Sequence, residues 1–219
     1  AWSMTVMFLA MWDYLKGIDE DFNKFRPKLP LSNEICRDGY IQPFADSPLD
    51  DEPVGETVYL NLINKARRYV YITTPYLIID NEIITALTSA AKGGVDVRII
   101  TPYCGDKWYV HEVTRSYYRT LIESGVRIYE YTPGFIHSKT FVVDDEYGVV
   151  GTINMDYRSL FLHFECGVWM YKCRSIYDIK EDFINTLKMC KEITMEDLKN
   201  VKWYRVLIRA VLRIFAPLM

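Results

Sequence analysis

The sequence is poor in histidine, in patterned cysteine, in long apolar runs and in positive charge. Each shortage narrows the function. The 219-residue chain has only three histidines, so a histidine in a patterned position carries information. The five cysteines (Cys36, Cys104, Cys166, Cys173 and Cys190) are odd in number and include no C-x-x-C pair. They speak against a disulfide framework or a cysteine zinc site and fit reduced thiols, most of them buried as small hydrophobes. The longest clean apolar run, "VMFLAMW" at 6–12, falls far short of the roughly 18 residues a membrane span needs, and no signal peptide opens the chain. A net charge of −3 offers no basic excess, which disfavours DNA and RNA as partners.

Half of the residues are hydrophobic and a quarter charged, the balance of a packed globular protein. Opening at Ala1 inside a helical pattern, the chain reads as a piece of something longer. Residues 1–26 are expected to be helical, and 27–53, punctuated by Pro27, Pro30, Pro43, Pro48 and Pro53, to be a linker. A single domain is expected over 54–190. "ETVYLNLINKARR" has helical spacing at Val58, Leu62, Ile63 and Ala66, and "YVYITT" follows as a strand. "DNEIITALTSAAKGG" is a helix with Asp80 as N-cap and Gly93 beyond its end. "VDVRIIT", a helix through Val110, Val113, Tyr117 and Leu121, and "VRIYEY" continue the alternation. Such alternation predicts parallel strands joined by right-handed crossovers. "KTFVVDD" and "YGVVG" are too close for anything but an antiparallel pair, so the expected α/β fold has a mixed, mostly parallel sheet between helices. "CGVWMY" adds a strand, and a helix through Ile176, Ile179, Phe183 and Leu187 closes the domain.

The chemistry concentrates in "GFIHSKTFVVDDEYGVVGTIN", residues 134–154. Side chains two apart on a strand face the same way, so His137 and Lys139 project together, and the hairpin that follows returns Asn154 beside them. An imidazole, an ammonium and a carboxamide suit a phosphodiester. The imidazole attacks phosphorus or protonates the leaving oxygen, while Lys139 and Asn154 stabilise non-bridging oxygens without a metal or other cofactor. Gly151 is expected to let the backbone approach the phosphate. Asp144 is expected to fix the hairpin more than to touch substrate, and Glu165 to hold the second nitrogen of His137, as a triad carboxylate does. A lone histidine at a strand end is usually structural. The joint spacing H-x-K-x4-D-x6-G-x-x-N would arise by chance on the order of once in a hundred thousand.

That spacing resembles the signature of the phospholipase D superfamily, with Thr152 where the family most often has Ser. Beyond the motif, 39–102 and "TINMDYRSLFLHFECGVWMY" resemble the C-terminal half of bacterial cardiolipin synthases, and "AWSMTVMFLAMWDYL" resembles the segment after their first catalytic motif. The resemblance implies a phospholipase D-like domain carrying one of two motifs. It also implies a phosphohistidine intermediate, phosphatidylglycerol as substrate and cardiolipin as product at a bacterial cell membrane, with this chain peripheral on the cytoplasmic face. His137 would be the general acid and base; Lys139, Asn154, Gly151 and Thr152 would bind phosphate. Neither His111 nor His163 begins a second H-x-K. The partner motif must then come from an N-terminal half or a second copy of this chain, and the isolated chain is expected to be inactive or weakly active. A hydrolytic phospholipase D, a nuclease and a non-catalytic membrane-binding module are the alternatives.

Three further features bear on the site. Tyr76 ends a parallel strand on the edge where α/β sites form, and either lines the substrate pocket or packs. His163 and Arg158 lie near the motif, and local packing is the simpler reading of His163. Residues 191–219 end in "KNVKWYRVLIRAVLRIFAPLM", a basic amphipathic helix with five cations and no acid. This helix, over 199–215, is expected on an anionic membrane surface, and the alternative is docking on a missing N-terminal half with its basic face solvated.

Overall fold

The computed structural model describes residues 2–28, 38–49 and 51–218, so Pro30 and Cys36 of the expected linker lie outside the described residues. The chain divides into two units, Ala1–Asp38 and Gly39–Met219. In the first, helix α1 (Trp2–Lys16) stops well short of the expected end. Gly17 follows with φ +63°, a left-handed conformation that suits a glycine ending a helix. A short 3₁₀ turn at Phe22–Phe25 follows, capped by the Asp21 side chain.

The second unit begins with a strand inside the expected linker, β1 (Tyr40–Asp46). Proline-rich composition hid it: β1 lies at a sheet edge, where Pro43 is tolerated because one side of the strand needs no N–H donor. At its end the Asp46 carboxylate accepts from the Gly55 amide at 2.6 Å, tying β1 to helix α2 (Val54–Lys65). The regular alternation then unfolds as expected. Strand β2 (Tyr69–Thr73) and a two-residue strand β3 (Leu77–Ile78) lead to helix α3 (Asn81–Lys92), whose N-cap Asp80 accepts from the Ile83 amide at 2.8 Å. Strand β4 (Asp96–Pro102), helix α4 (Trp108–Glu123) and strand β5 (Arg127–Tyr131) follow. The hairpin is β6 (Thr140–Val143) and β7 (Tyr147–Gly151). After β8 (Met155–Asp156) and helix α5 (Tyr157–Phe161) come β9 (Glu165–Tyr171) and helix α6 (Ser175–Leu187). Strand β10 (Cys190–Ile193), α7 (Met195–Lys199) and α8 (Trp203–Ile214) close the chain.

The main sheet runs β1-β9-β7-β6-β2-β4-β5-β10, and a small second sheet pairs β3 with β8 in parallel. The α/β class and mixed sheet hold. Among the described residues, parallel pairing within the main sheet is confined to β2-β4-β5, while the other five of its seven pairings are antiparallel. The chain turns back through a hairpin at β6–β7 and has no helical crossover between them, which forces that half of the sheet to be antiparallel.

Alternation along the strands decides which helix packs where. Val70, Ile72, Val97, Ile99 and Phe141 face a core with α2, α3 and α4, whereas Tyr69, Tyr71, Ile100 and Val142 face α6 through Ile176 and Phe183. Tyr59 of α2 stacks on Phe141 at 4.2 Å and donates to the Ile153 carbonyl at 2.6 Å. One buried ring thus joins the helical layer to the turn that carries Asn154.

Candidate active site

The carboxyl ends of β2, β4 and β5 meet the start of β6 and the end of β7 at one edge of the sheet, as the registers Thr73↔Thr140 and Thr140↔Val150 require. The irregular segment before β6 carries His137 and Lys139 to this edge, and the Gly151 amide donates to the Lys139 carbonyl at 3.3 Å. Asn154 arrives beside Tyr76 because β3 and β8 pair Leu77 with Met155, reinforced by Thr74 Oγ1, which accepts from the Met155 amide at 3.2 Å.

Lys139 is only 8% exposed, whereas His137 is exposed. The ammonium donates to the His137 carbonyl at 2.7 Å and lies 3.0 and 3.1 Å from Nδ1 and Nε2. One Nζ cannot point a straight N–H at both in-plane lone pairs, so its effect on the ring is chiefly electrostatic. Burial, followed by the Lys139 charge, holds the His137 pKa below its ordinary 6.5, against an opposing pull from Asp106. Both effects favour the neutral ring. Burial also lowers the Lys139 pKa, opposed by the Glu165 and Asp156 carboxylates. The Phe135 ring flanks the imidazole at 5.7 Å.

Asn154 Nδ2 donates to Ser159 Oγ at 2.8 Å, and its Oδ1 is buried without a partner. An orphaned buried acceptor carries a cost unless a ligand or water meets it. A Ser hydroxyl can donate or accept, so turning the amide would give Oδ1 the Ser159 proton and free Nδ2 for an anion, at the cost of the hydrogen bonds that the Ser159 hydroxyl and the Asn154 amide give Asp156. Ser159 is itself fixed by Asp156, the N-cap of α5, which accepts from its amide at 2.8 Å. Burial raises the Asp156 pKa.

The other expected site residues fall differently. Glu165 makes no hydrogen bond to His137 among the described residues. It accepts instead from the Thr152 hydroxyl and lies 3.6 Å from His163 Nδ1. Thr152 Oγ1 also accepts from the Cys166 amide at 3.0 Å, so its hydroxyl is engaged across β7 and β9. The need for glycine at 151 comes from the neighbouring strand: a Cβ there would lie 2.6 Å from the Cys166 carbonyl oxygen and 2.8 Å from Gly167 Cα. Asp144 sits at the far end of β6, where its carboxylate accepts from the amides of Arg67, Arg68 and Tyr69 at 2.7, 2.9 and 2.8 Å.

Tyr76 donates to Asp106 Oδ2 at 2.8 Å; burial and then this bond raise its pKa. It lines a cleft of about 290 Å³ together with Lys107, Asn154, Arg158, His163 and Leu218. His137 and Lys139 are not among the walls of this cleft. Sequence reasoning passed over Asp106 and Ser159. Asp106 follows a parallel strand on the edge that singled out Tyr76, and "DYRS" is a D-x-x-S cap pattern, so both had readable signals.

Comparisons with known proteins bear on the family and the fold. Residues 59–187 match the family described as cardiolipin synthase, PLD-like domain. An uncharacterised protein of Streptococcus mutans is 48% identical over 99% of this chain and 46% of its own length. A cardiolipin synthase of Halalkalibacterium halodurans is 35% identical over 99% of this chain and 43% of its own length. The chain thus spans less than half the length of these relatives. Among solved structures, the phospholipase D family member Nuc of Salmonella typhimurium aligns with 70% of this chain and 97% of its own, at TM-score 0.61 and 18% identity. A phosphatidylserine synthase of Haemophilus influenzae aligns with 81% of this chain and 45% of its own, at TM-score 0.60 and 19% identity. With the fold, the motif and a family match over 59–187 in agreement, this chain belongs to the phospholipase D-like domain family of cardiolipin synthases.

Proposed function

We propose that this chain supplies the second of two H-x-K sets in a phosphatidyltransferase that converts two phosphatidylglycerol molecules into cardiolipin and glycerol. The observation that carries the reading is the buried Lys139 ammonium held within 3.1 Å of both ring nitrogens of His137. A fixed cation against a neutral imidazole is poised for a phosphodiester. Bound phosphate neutralises Lys139 and lifts the His137 pKa, so protonation of the ring follows substrate binding.

A histidine of the other set attacks phosphorus, the bond from phosphorus to the glycerol oxygen breaks, and His137 gives that oxygen its proton. Neutral again, His137 takes the proton from a hydroxyl of the second phosphatidylglycerol. That oxygen then displaces the phosphohistidine, completing cardiolipin. Lys139 and a turned Asn154 amide hold the non-bridging oxygens as charge accumulates. Lys107 and Arg158 in the adjoining cleft supply positive charge for the anionic headgroup. The other set comes from the rest of a longer protein or from a second copy, which leaves the isolated chain inactive or weakly active.

Hydrolysis by paired copies is the second reading, favoured by the single H-x-K set of this chain, which a second copy would complete. Mass spectrometry of lipids after incubation of the full-length protein with phosphatidylglycerol in mixed micelles separates the two. Transfer gives cardiolipin and free glycerol in equal amounts; phosphatidic acid as the main product overturns transfer.

A further inference from the structure

The basic face of α8, expected to point outward, is turned inward. Arg209 is only 8% exposed and donates through Nε to Glu112 Oε2 of α4 at 2.6 Å. Arg205 approaches the same carboxylate at 3.7 Å, and the Arg213 guanidinium lies 4.2 Å from the centre of the Tyr117 ring. These contacts fix the rotation of the helix, because cations four residues apart share one face. The opposite face is left to solvent. Trp203 is 78% exposed, Leu207 57% and Ile214 74%, and the stripe runs on through Leu218 at 73%. An apolar stripe of this length at the surface marks an interaction site.

We propose that this face docks on a bilayer containing anionic phospholipid, with Trp203, Leu207, Val211 and Ile214 entering the boundary between headgroups and acyl chains. Charge complementarity selects the occupant. The segment from Lys199 to Leu218 has no acidic residue, and of its five cations Arg205, Arg209 and Arg213 are turned to α4, which leaves Lys199 and Lys202 to face anionic headgroups. Lys199 and Lys202 are exposed at the Trp203 end, where they meet the phosphates while the tryptophan takes the interfacial level. Continuity with the candidate site gives the docking a use. Leu218, at the end of the stripe, is a wall of the cleft that also holds Asn154 and Tyr76, so docking brings a lipid headgroup to the cleft. Among the described residues no helix is long and apolar enough to cross a membrane, so contact through this helix is interfacial. The proposal goes beyond the transfer reading, since binding here does not require turnover at His137.

The test is flotation of the chain with vesicles of phosphatidylcholine alone or with three parts in ten phosphatidylglycerol. The wild type is compared with the double variant Leu207→Ser/Ile214→Ser, with Lys199→Ala/Lys202→Ala, and with His137→Ala. Because Leu207 and Ile214 are exposed, the double variant keeps the wild-type melting temperature. It should bind anionic vesicles roughly tenfold or more weakly, given the apolar area withdrawn from lipid. The lysine variant should lose about fivefold per cation on anionic vesicles, and little on neutral ones. His137→Ala should bind as the wild type does, which separates this surface from the reaction. Equal binding by the wild type and the Leu207→Ser/Ile214→Ser variant overturns the proposal, as does no binding to either vesicle. Concentration-dependent dimerisation that the same double variant abolishes would assign the face to a second copy.

Discussion

Replacing Asp144 by Asn tests whether the motif's aspartate is structural or chemical. Its two carboxylate oxygens receive three backbone amides: Arg68 and Tyr69 on Oδ1, Arg67 on Oδ2. Asparagine keeps one acceptor oxygen for two of these amides and points an NH₂ at the third, so one charge-assisted bond is lost and two are weakened. At about 1.5–3 kcal/mol for a hydrogen bond to a charged group, the cost is on the order of 3 kcal/mol. The backbone adds nothing, because Asp144 has φ 55°, a left-handed conformation that Asn also tolerates. For a domain of this size the loss lowers the melting temperature by roughly 6–12 °C. Thermal unfolding by circular dichroism measures it, with hydrogen exchange at Arg67, Arg68 and Tyr69 as the local readout. The His137 titration, followed by NMR, should not move, since five residues of chain separate Asp144 from Lys139 and β6 carries it about 16 Å away. A melting temperature within 2 °C of wild type (about 0.5–1 kcal/mol) together with a displaced His137 titration would refute the structural role and return Asp144 to the reaction centre.

Lys139→Met should raise the His137 pKa, because it removes a cation that lowers it; the burial contribution stays, so recovery towards 6.5 is partial. NMR titration of the imidazole reads the shift. Gly151→Ala should destabilise the fold by about 1–3 kcal/mol, because its Cβ would meet the Cys166 carbonyl oxygen and Gly167 Cα, both backbone atoms that cannot swing aside; chemical denaturation measures this. Glu56 has its pKa raised from 4.5 to about 7, by burial first and then by the Asp80 carboxylate. The folded state therefore holds this proton more tightly than the unfolded chain, and the stability linked to it is full below pH 4.5 and lost as pH rises through 7. Glu56→Gln should accordingly melt a few degrees above wild type at pH 8 and level with it at pH 4, once solvent screening is allowed for.

Much of the core fold was legible because its signals are local. Strand and helix periods alternate from Val54 to Tyr131, and the caps at Asp80 and Gly93 stand where the sequence puts them. What escaped depends on distant partners. β1 is a strand only because β9 offers it an edge, and the two-residue β3 and β8 exist only because each has the other. The inward turn of α8 could not be read from its own amphipathic pattern, since the deciding charge is Glu112, ninety-seven residues away from Arg209. Within the site, the i, i+2 spacing of His137 and Lys139 was enough to predict their proximity. Glu165 was misassigned to the imidazole because spacing shows which strand carries a carboxylate, but not that Thr152 and His163 on either side compete for it.

The most direct test of the account is the rate of cardiolipin formation by the full-length protein carrying His137→Ala, with vesicle binding measured alongside. The reaction centre described here predicts a fall in kcat of about a thousandfold or more, from loss of proton transfer to and from oxygen, with lipid binding unchanged. A fall of less than about tenfold would contradict it and place the chemistry elsewhere.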